Sequence, residues 1–327
     1  MRAAVATNQN YDDPLSCLEL RDWTLPEPRE GWTRVQLRAA SLNPHDLWTL
    51  RGVGHPKEHL PIVLGCDGAG VTDDGREVVI HPVLGDPDRG YGDLTLDPQR
   101  ALLSETIDGT LAEYVLVPER TLVSKPASLT FAEAACMGVA WGTAYRMLFT
   151  RGNVGPGSRV LVQGGNGGVA SAAIALASAA GARVYATART AEKRAFARSC
   201  GATEVFENGA RLPERVDTVI ETIGEATWSH SLKSLRPGGT IVIAGATSGA
   251  MPPADLARVF YQQLSVVGST GSTKPEFEAL LRTVDATGIR PQIEAIGFDE
   301  IPQGFERMLA GDVAGKLVVE FSRDGAV

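Results

Sequence analysis

Basic residues are in deficit in this sequence: 31 lysines and arginines stand against 39 aspartates and glutamates over 327 residues, a formal net charge of -8. Nucleic acid and anionic membrane surfaces both select for a basic excess, so neither is expected as a partner. Cysteine is scarce too. Cys17, Cys66, Cys136 and Cys200 show no C-x-x-C spacing, which argues against a zinc ribbon or a disulfide framework and for reduced thiols in the cytoplasm. Long apolar runs are missing as well: the longest Ala/Val/Ile-rich stretch, residues 169–182, is too short to cross a bilayer. Residues 1–10 turn polar before a signal-peptide core forms, so no export is expected.

What is present is organised in two textures. Up to about residue 124, short β-like runs at residues 33–40, 78–80 and 112–117 are broken by Pro, Gly and Asp, the spacing of a folded-over β domain. From about Ser158 the chain alternates strand and helix: strand 159–163, a glycine turn, helix 169–180, strand 183–187, helix 191–200, strand 203–206, strand 216–221, helix 228–235 and strand 240–245. Alternation of this length predicts an α/β fold with a doubly wound parallel sheet. A helix at 274–285 and a strand at 317–321 close the sequence.

The glycine turn is the strongest local signal. Gly165-Asn166-Gly167-Gly168-Val169-Ala170 fits G-x-G-x-x-A directly after a strand and at the start of a helix. The first glycine permits a tight turn, the second lets backbone approach a pyrophosphate, and the small last residue allows close helix–strand packing. The helix start adds N–H groups and partial positive charge for phosphates. NAD-binding folds place an acid about 20 residues further on. Here residues 185–190 contain none; Arg189 stands there instead, with Lys193 and Arg194 following. Arg189 and Lys193 are read as contacts for a 2′-phosphate, which makes NADPH the expected cofactor; solvated surface charge is the alternative.

Residues 42–48 (LNPHDLW), 64–70 (LGCDGAG), 109–114 (GTLAEY), 141–145 (WGTAY), 156–162 (PGSRVLV) and 315–319 (GKLVV) together resemble the medium-chain dehydrogenase/reductase superfamily, in the branch of quinone-oxidoreductase-like and zinc-type alcohol-dehydrogenase-like proteins. The resemblance covers nearly the whole chain. It implies a GroES-like catalytic domain at 1–124 to which 268–327 return, a Rossmann domain at 125–267, an active site in the cleft, and dimers joined through the sheet edge around residues 240–245 and 264–268. It also implies that Thr143, Gly245, Ala246, Thr247 and Lys316 line the cofactor cleft. Zinc-dependent relatives carry Cys, His and Cys at the positions matching Asn43, Cys66 and about Val139. With Cys66 alone remaining as a ligand, and catalytic zinc needing three, no metal is expected.

Without a metal to polarise an oxygen, hydride transfer suits acceptors that are already electron-poor, such as quinones and enones. Asn43 and Asp46 match the Asn-x-x-Asp that lines the cleft in zinc-free quinone reductases, although Asn-Pro-x-Asp is also good turn chemistry. His45 and His81 are candidate proton donors or packed histidines. Arg51 is a substrate contact or a loop anchor, and Cys66 a small apolar filler or a reactive thiol. An alcohol dehydrogenase or ketone reductase, and a non-catalytic NADPH-binding redox sensor, are the competing readings.

Overall fold

A computed structural model of the chain describes residues 1–321, and these divide into two compact units: Met1–Val139 with Ser272–Ala286 and residues 293 onward, and Ala140–Gly271 with Thr287–Gln292. The expected return segment reached to residue 327; residues 322–327 lie outside the described residues.

The second unit carries the parallel sheet. Its strands lie in the order Glu204–Phe206, Arg183–Thr187, Arg159–Val162, Val216–Glu221, Leu235–Ile243, Ser265–Gly268, and every neighbouring pair is parallel. Central strands of such a sheet are covered on both faces, which is why Val160, Leu161, Val162, Val219 and Ile220 are all buried and read as continuous apolar runs. Helix Gly168–Ala179 buries Ala170, Ala172, Ala173, Ile174 and Leu176, and Gly181, at φ +79°, ends it as a left-handed cap residue. Trp228 sits in the core with Leu161, Tyr185, Val219 and Ile241. Pro237, Gly238 and Gly239 form an irregularity inside the strand Leu235–Ile243, opposite a register shift in Val216–Glu221.

The first unit is built on the long strand Trp32–Ser41. Asp67–Thr72 pairs antiparallel on one side, while Lys316–Glu320 returns from the C-terminal segment to pair antiparallel with its end, Val318 opposite Ser41. That return brings Lys316 beside residues 42 and 43, 274 and 273 positions away in sequence. Helix Phe131–Ala134 packs on Trp32–Ser41 and Asp67–Thr72, so residues 125–139 group with this unit and not with the parallel sheet where they were expected. Among the described residues no helix is long and apolar enough to cross a membrane.

Candidate functional site

The turn at residues 43–46 starts helix Pro44–Arg51. Proline at the first helical position has its φ preset and no N–H to leave unpaired, and Gly52, at φ +75°, closes the other end. Asp46 accepts the Asn43 N–H at 2.8 Å and the Gly65 N–H at 2.9 Å, which pins the helix start to the strand region ahead of Cys66. Burial pushes the Asp46 carboxyl up to about 6, against the opposing pull of His45 and those two N–H groups. Asp46 is fully buried, so the geometry found is that of a cap and a tether.

Asn43 is buried as well, and its amide belongs to a second network. It donates to Ser41 O at 3.2 Å and to Asp67 Oδ2 at 2.9 Å, and it accepts from Lys316 Nζ at 2.6 Å. Asp67 also accepts from Ser41 Oγ at 2.9 Å and from the Val139 N–H at 2.6 Å, and the Lys316 ammonium stands 3.6 Å from Asp67 Oδ2. Lys316 Nζ further donates to Leu42 O at 2.8 Å. Lys316 was expected to line the cofactor cleft; the structure buries its ammonium in this network, where it pairs with the fully buried Asp67.

These residues do not fit a catalytic zinc. The place beside Asn43 and Asp67 already holds an ammonium, which repels a second cation. Among the described residues one group, His45, Asp46 and Cys66, brings ligand-type atoms within 4.8 Å of one another. Its atoms are engaged within the protein: both Asp46 oxygens by backbone N–H groups, and His45 and Cys66 by each other and their neighbours.

That last pair forms a chain. Cys66 Sγ lies 3.3 Å from His45 Nδ1 and 3.2 Å from Leu103 O, and His45 Nε2 lies 2.8 Å from Glu105 Oε1. The other Glu105 oxygen accepts the Leu102 N–H at 2.7 Å. Burial works against charge on His45, but Cys66, Glu105 and Asp46 raise its pKa well above the ordinary histidine value. Burial also pushes the Cys66 thiol up. One assignment satisfies every atom: the thiol donates to Leu103 O, and a charged His45 donates from Nδ1 to sulfur and from Nε2 to Glu105. Burial tends to raise the Glu105 carboxyl, but the His45 and Leu102 hydrogen bonds outweigh it and hold it below its usual value. The His45 side chain is 15% exposed, whereas Cys66 is fully buried.

The remaining candidates of this unit separate cleanly. His81 is buried, its Nε2 2.9 Å from Ser272 O and its ring against Phe277, and burial lowers its pKa to about 4; it is a packed, neutral histidine. Arg51 lies with its guanidinium over Tyr11 and its Nε buried without a partner.

In the parallel-sheet unit the left-handed turn falls on Gly164, at φ +67°, one residue before the expected one. Gly165 is needed for packing: a Cβ there would meet Ala197 Cβ at 2.9 Å and Ala186 Cβ at 3.3 Å. Gly167 precedes helix Gly168–Ala179, and a Cβ there would find only Gly164 O, at 3.9 Å. The loop is thus open on the side where a phosphate would approach the helix start, and the residues fit a dinucleotide. Arg189 is exposed just past the strand Arg183–Thr187, with Lys193 on the first turn of the following helix. Thr143 is buried in helix Gly142–Tyr145, and residues 245–247 follow the C-terminal end of Leu235–Ile243. Strand ends of this kind are where open α/β sheets bind ligands.

Two functional-site residues escape a sequence reading. Asp67 carried a usable signal, an acid inside a run of glycine and alanine. Glu105 carried none, because the turn that brings it to His45 depends on Ser104 at φ +67° and on the Ser104 N–H to Ile107 O bond. Below the glycine loop, Gln163 joins Thr187, His230 and Ser231, and the buried Glu221 accepts from the N–H groups of Ile223 and Gly224 and from Thr227 and Ser231.

Residues 29–127 match the alcohol dehydrogenase GroES-like domain, and residues 168–286 match the zinc-binding dehydrogenase family. Quinone oxidoreductase of Homo sapiens is 29% identical over 92% of this chain and 93% of that protein. A zinc-type alcohol dehydrogenase-like protein of Schizosaccharomyces pombe is 30% identical over 93% of this chain and 95% of its own length. The crystal structure of an NAD-dependent alcohol dehydrogenase has a TM-score of 0.92 at 35% identity, covering 98% of this chain and 100% of that one. A GroES-like β unit joined in one chain to a doubly wound parallel-sheet unit defines a class of two-domain oxidoreductases. This chain belongs to the medium-chain dehydrogenase/reductase family.

Proposed function

We propose that this protein is a zinc-independent, NADPH-dependent reductase that transfers hydride to quinones, enones or other conjugated carbonyls. The observation that carries this reading is the Lys316 ammonium, seated 2.6 Å from Asn43 Oδ1 and 3.6 Å from Asp67 Oδ2, where zinc-type relatives need an accessible anionic ligand set. The likeness to quinone oxidoreductases supports it.

Bound NADPH would supply the hydride. Gly165, Asn166, Gly167, Gly168, Val169 and Ala170 would hold its pyrophosphate, Arg189 and Lys193 its 2′-phosphate, and Thr143 with Gly245, Ala246 and Thr247 the nicotinamide end. Reduction of a conjugated carbonyl would leave negative charge on the acceptor oxygen, which a proton must neutralise. His45 would provide it from Nε2 by releasing its hydrogen bond to Glu105, which otherwise orients the ring, and solvent would restore the proton at this partly exposed side chain. An NADPH-oxidation screen over quinones, enones, enoyl thioesters and simple ketones tests the reading; turnover restricted to simple ketones would favour the alcohol dehydrogenase alternative, and no turnover at all a binding protein. Purified protein is expected to contain well under one zinc per chain and to keep its activity in a strong chelator, as metal analysis checks.

Cofactor choice rests on Arg189. Arg189→Ala should weaken NADPH binding by about 1.5–3 kcal/mol, the scale of a lost charge-assisted contact, and leave NADH nearly unchanged. Equal losses for both, measured by titration, would show that Arg189 does not read the 2′-phosphate.

The partner is a second copy of this chain. The strand Ser265–Gly268 is the edge of the parallel sheet, and Val266 on it and Met251, Leu256, Phe260 and Tyr261 near it in sequence are 47, 86, 71, 72 and 78% exposed. Sedimentation should find a dimer that Phe260→Asp dissociates. The cytoplasm, where four free thiols stay reduced, is the fitting compartment.

A further inference from the structure

The loop after helix Pro44–Arg51 is turned outward almost everywhere. From Gly52 to His59 every residue is exposed except His55, which is 6% exposed. An inward position on such a loop ordinarily holds an apolar side chain; this one holds an imidazole. Its backbone is pinned, since His55 O accepts from Gln9 Nε2 at 2.9 Å, and its ring meets His59 edge-on with centroids 5.9 Å apart. Yet neither ring nitrogen has a hydrogen-bond partner. Leaving a buried donor unmatched destabilises the free protein, so the N–H of this ring calls for an acceptor that pairs with it.

The surroundings state which ligand. Burial, reinforced by His59, lowers the His55 pKa, so the ring is neutral at pH 7, with one N–H to give and one lone pair to accept. The other charged groups that bear on it are Glu105, Glu58 and His45. His45 and Glu105 offset one another as an ion pair, so the charge left bearing on the ring is that of Glu58, which repels an anionic ligand, and a neutral ring offers no compensating charge. An uncharged oxygen does fit: a carbonyl accepts the N–H without bringing charge.

We propose that His55 binds the carbonyl oxygen of the acceptor and thereby selects uncharged conjugated ketones and quinones over conjugated carboxylates. This rests on the reading of the protein as a reductase of conjugated carbonyls. His55 holds the oxygen on which negative charge develops, and His45, joined to Glu105, delivers the proton to it.

The test compares wild type with His55→Phe and His55→Gln. For 2-cyclohexenone and 1,4-naphthoquinone, His55→Phe should raise KM about five- to thirtyfold, the range for one lost hydrogen bond, with NADPH affinity unchanged. His55→Gln should recover part of the loss. The ligand-free melting temperature of His55→Phe should equal or exceed that of wild type, because an unmatched polar ring has been replaced by an apolar one of similar shape. A lower melting temperature would show that the ring is already paired inside the protein, and an unchanged KM that the acceptor lies elsewhere; either overturns the assignment. Independently of turnover, the 15N signals of the His55 ring should shift on adding 2-cyclohexenone to protein without NADPH, and not on adding crotonate. Should no conjugated carbonyl oxidise NADPH while the ring signals still shift, the reductase reading falls and the carbonyl site stands. Should turnover proceed with no shift and no change in KM, the site alone falls.

Discussion

Lys316→Met should destabilise the protein by about 3–5 kcal/mol, the range for removing one member of a buried, hydrogen-bonded ion pair. Methionine nearly matches the shape of the lysine stem, so little of the effect would come from a cavity. What changes is Asp67. Its carboxylate is fully buried, and without the ammonium at 3.6 Å it keeps three hydrogen bonds but no counter-charge. Asn43 Oδ1 and Leu42 O lose their donor in the same step. Asp67→Asn placed on top of Lys316→Met removes the unpaired charge and should recover much of the loss, so urea unfolding of both single variants and the double variant completes a cycle. A cofactor role for Lys316 predicts the reverse: weaker NADPH binding in a protein of unchanged stability. A loss under about 1 kcal/mol would mean that Asp67 does not depend on this lysine.

His45→Phe should slow single-turnover oxidation of NADPH by a conjugated ketone about 10²- to 10³-fold, as expected for losing a positioned proton donor. The solvent isotope effect should change with it, since proton delivery then falls to water. Glu105→Gln should give a smaller loss, because the His45 ring keeps a hydrogen-bond partner but no longer faces a carboxylate. Cys66→Ala tests the other end of the chain. It removes the sulfur next to Nδ1 and leaves the Glu105 contact, so its rate should stay closer to wild type than that of His45→Phe. If His45 is only a packed residue, His45→Phe will lower the melting temperature while the rate per folded molecule is preserved.

Comparing residue with residue, the nucleotide half of this protein was the more legible. Strands Arg183–Thr187 and Val216–Glu221 lie where apolar β-branched runs place them, and helix Gly168–Ala179 begins one residue before its expected start. Each element there is a local pattern followed by a short turn, and a local pattern is what a sequence displays. Even so, the glycine roles moved by one residue, since φ at Gly164 and the closeness of Ala197 to Gly165 depend on how the helices settle on the sheet.

The GroES-like half was legible in its residues but not in their jobs. The motif at residues 43–46 is visible, and so is the choice between a lining and a cap. Burial of Asp46 with both oxygens on backbone N–H groups is a tertiary fact, as is the partnering of Asn43 by Lys316 across 273 positions. The two-part organisation and the glycine-rich turn between strand and helix could be read from the sequence, because these depend on local period and residue identity. Only the tertiary structure decided that Lys316 neutralises Asp67, that Glu105 meets His45, and that His55 turns inward unpaired. Those outcomes rest on strand pairing and loop closure between distant segments, and a buried charge or imidazole takes its chemistry from whatever the fold brings within hydrogen-bond distance of it.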